Sequence, residues 1–263
     1  MNSPAEIAKN YVTIGVNKMK LPISKMLILG IFAGMYIAFG AVGSQVVAVS
    51  IAAPSVAKWV GSCVFPVGLM LVLVAGAELF TGNCLLVIPV LEKKASISEM
   101  LKSWFFVYIG NFIGSILVAL AVVYSHALTL FDGQLAKNVV AASAAKSTMN
   151  FSDALIKGIL CNMLVCLAVW VSFAAKELAG KIIGLMLPIM LFVLCGYEHS
   201  VANMYFGPAG IFASSAYGIA QDGIGWGGFL LHNLLPVTLG NIIGGSLIVG
   251  AGYWFCYLRD AKK

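Results

Sequence analysis

The chain has 263 residues, of which 61% are hydrophobic and only 10% charged, a composition that excludes a soluble globular domain and points to a polytopic membrane protein. Its formal net charge of +6 does not point to nucleic acid, because the basic residues, nearly all lysines, are scattered between apolar runs and read as topology signals. Six cysteines (Cys63, Cys84, Cys161, Cys166, Cys195 and Cys256) sit inside apolar segments without CxxC or CxxH spacing. They read as small buried hydrophobes, and no metal, cofactor or disulfide is expected.

Ser3-Pro4-Ala5-Glu6 has the form of a capping box with proline at the first helical position. Ile7, Tyr11 and Ile14 follow at helical spacing, with Lys9 and Lys18 off that face. Residues 1–22 are therefore predicted to form an interfacial helix that anchors the chain or, as a weaker alternative, covers the cytoplasmic mouth. The first apolar run is too long for the h-region of a cleavable signal, so membrane insertion is expected to rely on the first span itself.

Six apolar stretches follow, at about 23–53, 59–91, 103–130, 155–175, 182–221 and 227–258. They predict an all-α membrane protein with six transmembrane helices in one channel domain, residues 23–259. That domain divides into a first repeat (about 23–130), a linker (about 131–153) and a second repeat (about 154–259), with a short tail at 260–263. With both termini placed in the cytoplasm, twelve basic residues flank the inner side and four, Lys58, Lys137, Lys146 and Lys157, the outer side. That asymmetry favours the assignment and a multi-pass protein of the cell membrane.

Two of the apolar stretches are interrupted. GAELFTGN (Gly76–Asn83) and GYEHSVANMY (Gly196–Tyr205) align at an offset of 120, which matches Gly76 with Gly196, Glu78 with Glu198 and Asn83 with Asn203. Glycine, carboxylate and amide in mid-span predict that helices 2 and 5 are broken there, since backbone freed at membrane depth persists only against protein or a water-filled cavity. Leu79 stands where the second motif has His199. If both reach one cavity, the imidazole is its only side chain titrating near neutral pH.

The third and sixth spans share a Gly-Asn motif, Gly110-Asn111 and Gly240-Asn241, at an offset of 130. Repeats of three spans each must be inverted, related by a two-fold axis in the membrane plane. The pairs Gly30/Gly34, Gly110/Gly114 and Gly240/Gly244 have the spacing of close helix packing. The linker, rich in alanine, is expected to fold over the outer vestibule and lean Lys146 toward the path. Glu78 and Glu198, with Asn83 and Asn203, are expected to support the breaks, the carboxylates accepting freed backbone N–H groups. His126 and His232, near span ends, are expected at the interface.

GYEHSVANMY resembles the G-x-E-H-x-V-A-N-M signature of the formate/nitrite transporter family, and AELFTGN is similar to its second-helix loop. Within it, Thr81-Gly82-Asn83 looks most like the hydrosulfide channel branch. The resemblance implies an aquaporin-like homopentamer in the lipid bilayer, each protomer passing small monovalent anions such as formate, nitrite or hydrosulfide. It assigns His199 as the central histidine, Thr81 as the loop threonine facing it, Lys146 as the vestibule lysine, and Asn162 and Asn241 as asparagines beside the path. It places apolar constrictions at Phe65, Leu69, Leu79, Phe80, Val165 and Phe192.

A bare anion in a dry constriction faces a prohibitive desolvation cost. Neutralising formate at pH 7 costs about 4 kcal/mol if its acidity matches an aspartate side chain. Transient neutralisation is therefore expected, with Lys146 supplying an attractive field. A relay is assigned to a neutral His199, with the half-helix predicted to begin near Pro208 aiming its dipole at the same place. A passive anion channel is the leading reading. A proton-coupled transporter and a neutral-solute pore remain alternatives, and an enzyme is not expected, since His199 and Ser200 diverge on a helix and no GxSxG accompanies them.

Overall fold

The computed structural model describes residues 1–260; the predicted tail lies largely outside the described residues. Every regular element among them is helical. In chain order they are α1 (Pro4–Met19), α2 (Ile23–Ala48), α3 (Pro54–Gly76), α4 (Phe80–Leu91) and α5 (Ile97–Tyr124), then α6 (Gln134–Ser147), α7 (Phe151–Ala174), α8 (Leu178–Leu194), α9 (Ser200–Tyr217) and α10 (Trp226–Tyr257). Five of them, α2, α3, α5, α7 and α10, are long and apolar enough to cross a membrane. Large side chains such as Phe105 (61% exposed), Leu187 (66%) and Leu247 (62%) stand on the outer surface, as expected where lipid or a neighbouring apolar surface replaces water. The chain is a multi-pass membrane protein.

Glycine sets the two closest helix contacts. A Cβ on Gly34 or Gly114 would collide with the backbone of Asn111 or Ile31, so α2 and α5 touch main chain to main chain. Gly158, Gly240 and Gly244 do the same for α7 and α10. Dispersion and small-residue fit, rather than the hydrophobic effect, drive such contacts in lipid.

Both predicted breaks are present. Helix α3 ends at Gly76 (φ +91°), Ala77 to Leu79 run extended, and α4 starts at Phe80. The second break runs from the turn at Gly196 (φ +70°) to an extended His199. The backbone angles of Leu79 (−108°, 122°) and His199 (−107°, 115°) are nearly the same, so the aligned residues adopt one conformation. Helix α9 begins at Ser200, not near Pro208, which lies inside it. The His199 side chain caps the earlier start, and a proline nine residues into a buried helix is tolerated where neighbours satisfy the freed carbonyls.

Helix α1 has the predicted capping box: Glu6 N–H donates to Ser3 Oγ at 3.3 Å and Ser3 N–H donates to Glu6 Oε2 at 2.7 Å. These bonds hold the Glu6 carboxyl below the ordinary carboxylate range. Its apolar face, however, turns into the protein. Ile7 and Tyr11 are buried, and the Tyr11 hydroxyl donates to Gly82 O at 3.4 Å. Asn2 caps the end of α7 through Ala174 O (2.8 Å) and Phe173 O (2.9 Å). Helix α6, within the segment read as a linker, packs along α9.

Candidate functional site

Each break frees backbone donors, and an asparagine takes up the first of them. Phe80 N–H donates to Asn111 Oδ1, and Ser200 N–H donates to Asn241 Oδ1, both at 2.9 Å. The Asn111 amide in turn donates to Gly30 O (2.8 Å) and Glu78 O (2.9 Å). That of Asn241 donates to Gly158 O (2.8 Å) and Glu198 O (3.0 Å). Asn111, on α5, thus ties the start of α4 to α2, and Asn241, on α10, ties the start of α9 to α7. Asn111 carries the same geometry as Asn241, and the repeated Gly-Asn motif was the signal for it.

The carboxylates do something other than expected. Neither Glu78 nor Glu198 accepts a backbone N–H in the described structure; each is held by a lysine and an asparagine. Glu78 accepts from Asn83 Nδ2 at 2.8 Å and pairs with Lys18 at 3.3 Å. Glu198 accepts from Lys146 Nζ at 2.7 and 3.0 Å and from Asn203 Nδ2 at 2.7 Å. Asn111 and Asn241 already accept the first freed N–H of each half-helix, and a buried carboxylate needs a countercharge. Lys18 was missed by the sequence reading, although it stands in α1 as Lys146 stands in α6.

The two sites differ in their polar partners as well as in the length of the ion pair. Glu198 has a third donor, Asn233 Nδ2, at 3.2 Å, and Asn233 Oδ1 also accepts from Asn203 at 2.7 Å. In the first half the position aligned with Asn233 is Ser103, whose buried hydroxyl has no protein partner, and neither has Asn83 Oδ1. Asn233 had no sequence signal beyond that alignment. Its turn of α10 is widened to i→i+5 bonding, a distortion common at working sites.

Three cavities adjoin through shared walls: Phe65, Phe192 and His199 border the first two, and Leu69 and Leu79 the second and third. The largest of the three, about 290 Å³, opens between α2, α3, α6, α8 and α9, and Lys58, Lys146, Glu198 and His199 are among its lining residues. A chamber of about 10 Å³, enough for roughly one water, follows; His199, Leu79, Phe65, Leu69, Val165 and Phe192 line it. Beyond Leu69 and Leu79 is a pocket of about 30 Å³ bordered by Tyr11, Lys18 and Phe173. Phe65 and Phe192 meet edge to face at 5.5 Å, and the Phe192 ring stacks on His199 at 5.8 Å.

Five of the six apolar residues expected at constrictions therefore line the central chamber. Phe80 does not; its ring packs edge-on against Trp104 and Tyr108, in the core behind the break. Asn162 and Asn241 likewise line none of the three cavities. Asn162 Nδ2 donates to Asn241 O at 2.7 Å and to Thr81 O at 3.2 Å, so both asparagines hold backbone. His126 and His232 are exposed and outside the cavities.

Hydrogen bonding defines the state of His199. Ala202 N–H donates to Nδ1 at 3.0 Å, so that nitrogen carries no hydrogen. The neutral ring is then the Nε2–H tautomer, and Nε2 lies 2.8 Å from Thr81 Oγ1. Thr81 accepts, which leaves its own hydroxyl hydrogen to be directed elsewhere. The imidazole is fixed at both edges, one by its own helix and one by the opposite half of the molecule.

Comparison with known proteins gives this arrangement its relatives. The sequence profile described as "Formate/nitrite transporter" matches residues 5–255. The chain is 38% identical to a "Probable formate transporter" of Methanothermobacter thermautotrophicus, over 98% of both chains. It is 37% identical to "Formate channel FocA" of Escherichia coli (strain K12), over 98% of this chain and 95% of that one. Among solved structures, a "Pentameric formate channel with formate bound" superposes with a TM-score of 0.79 at 36% identity, covering 90% of this chain and 98% of that one. An "FNT family ion channel" does so at 0.85 and 30% identity, covering 95% and 98%. With the paired breaks, the histidine between them and matches running nearly end to end, the chain belongs to the formate/nitrite transporter family of membrane transport proteins and is not an enzyme.

Proposed function

We propose that the chain is a channel for small monovalent anions, formate foremost, with its own path in each protomer of a homopentamer. Six spans in two inverted repeats form it, α3 with α4 and α8 with α9 being the interrupted ones, and both termini face the cytoplasm. The duplicated hydrogen-bond set around Glu78 and Glu198 supports the two-fold relation. The names borne by its relatives support the substrate and the assembly.

The observation that carries this reading is the chamber of about 10 Å³ between Phe65, Phe192, Leu69 and Leu79, with His199 as its polar wall. An anion arriving from the larger vestibule meets an apolar gap where it keeps almost no hydration. The Nε2–H of His199, once it turns from Thr81 Oγ1 to the anion, is the donor that can share or pass a proton there. Flux of formate, nitrite and hydrosulfide into proteoliposomes tests the reading. Reversal potentials that follow the anion gradient alone fit a bare-anion channel, an added dependence on the proton gradient fits symport, and solute flux without anion flux overturns the proposal.

A further inference from the structure

The larger vestibule holds three charged side chains: Lys58, Lys146 and Glu198. Lys146 and Glu198 are joined in a two-point ion pair at 2.7 and 3.0 Å, so at a distance they act as a dipole whose field falls off faster than that of a single charge. Lys58 makes no ion pair among the described residues. It stands in the second turn of α3 and reaches across the mouth, with Nζ 4.0 Å from where a Cβ on Gly196 would lie, at the turn leading to His199. By charge alone, the vestibule is left with one uncompensated cation, and it is not the lysine that the motif comparison singles out.

We propose that Lys58 is the residue that captures anions from solution in this vestibule, while Lys146 serves chiefly to hold Glu198. The proposal rests on the anion-channel reading for its substrate, a small monovalent anion, and on the charge balance of the mouth for its mechanism. The mouth is open, so the attraction acts through water and is screened by salt. One unscreened charge about 7 Å from an ion in water changes its local occupancy about threefold. Lys58 therefore sets how dilute an anion the protein can gather, more than how fast a gathered anion crosses.

The test compares the full chain with Lys58→Gln and Lys58→Arg in proteoliposomes, measuring initial formate uptake against concentration at low and high ionic strength. Lys58→Gln is expected to raise half-saturation about threefold at low salt, more than it lowers maximal flux. Lys58→Arg should restore the wild-type value, and high salt should erase the difference. Equal half-saturation for wild type and Lys58→Gln at low salt overturns the inference.

A second readout needs no transport. With Ala142→Cys as reporter in a Cys195→Ser, Cys256→Ser background, the ratio of modification rates by anionic and cationic methanethiosulfonates should fall about sevenfold when Lys58→Gln is added, about threefold from lost attraction and about threefold from lost repulsion. If the wild type moves no anion but this ratio falls, the channel reading fails and the capture site stands. If the ratio does not move, the capture site fails whatever the flux.

Discussion

His199 Nε2 lies 2.8 Å from Thr81 Oγ1, and the two residues come from opposite halves of the chain. A single hydrogen bond thus joins the start of α9 to the first turn of α4, where the two breaks face each other. Thr81→Val leaves the buried Nε2–H without an acceptor, at a cost of about 1–3 kcal/mol. The melting temperature should fall and anion flux should change, while Thr81→Ser should behave as wild type. Valine behaving like threonine in both measurements would show the bond to be idle.

The histidine has a structural duty as well as a chemical one, and the two can be separated. Asparagine at 199 can still accept the Ala202 N–H as a helix cap but cannot reach Thr81; phenylalanine can do neither. His199→Asn is expected to keep the cap, lose the Thr81 bond at about 1–3 kcal/mol as Thr81→Val does, and alter anion selectivity. His199→Phe should alter flux and also lose about 1 kcal/mol for the missing cap. Thermal unfolding read alongside a flux panel distinguishes the cases, and unchanged flux in both variants would remove the ring from the transport step.

Lys146 and Glu198 are 16% and 8% exposed in their side chains, so their pair is largely shielded from solvent. Removing one partner of such a pair costs about 3–5 kcal/mol, because the other is left uncompensated. Lys146→Met should therefore destabilise strongly, whereas Lys18→Met, whose pair is longer at 3.3 Å and whose lysine is 25% exposed, should be milder. Lys146→Glu should also raise the half-saturation for anions by turning the vestibule negative. The exchange Lys146→Glu with Glu198→Lys should recover stability. A melting temperature equal to wild type in Lys146→Met would mean that the pair contributes nothing.

Much of this was legible in the sequence, because polar residues in an apolar run have no cheap place to go. Glycine, carboxylate and asparagine at mid-span fixed both breaks to within a residue or two, and the 120-residue offset brought Leu79 and His199 to one chamber. What stayed hidden depended on three-dimensional partners. Ile7 and Tyr11 show the same spacing whether the apolar face meets lipid or protein, so the inward packing of α1 could not be read. Lys18 and Lys58 look like ordinary flanking cations, and only position tells which one is paired. Phe80 sits beside a chamber-lining leucine in sequence, yet adjacent residues entering a helix diverge, and it points into the core.

Glycine contacts make a sharper test of the packing than any apolar swap. A Cβ on Gly114 would lie 2.8 Å from Ile31 C and 3.0 Å from Met35 N, backbone atoms that cannot move aside cheaply. Gly252 has nothing within 4 Å. Gly114→Ala should lose about 1–3 kcal/mol through overpacking and Gly252→Ala almost nothing. Fluorescence-detected size-exclusion after heating would rank them, and equal behaviour would mean that α2 and α5 are not in main-chain contact.

Lys18 reaches Glu78 from α1 as Lys146 reaches Glu198 from α6. On the two-fold reading, the copied unit then begins close to residue 3 rather than at the first hydrophobic span, and the seam between copies falls in the turn after His126. On that same proposed symmetry, the amino-terminal helix is an arm of the architecture whose twin is α6. Amputating it strips the carboxylate at 78 of its countercharge and leaves the molecule lopsided.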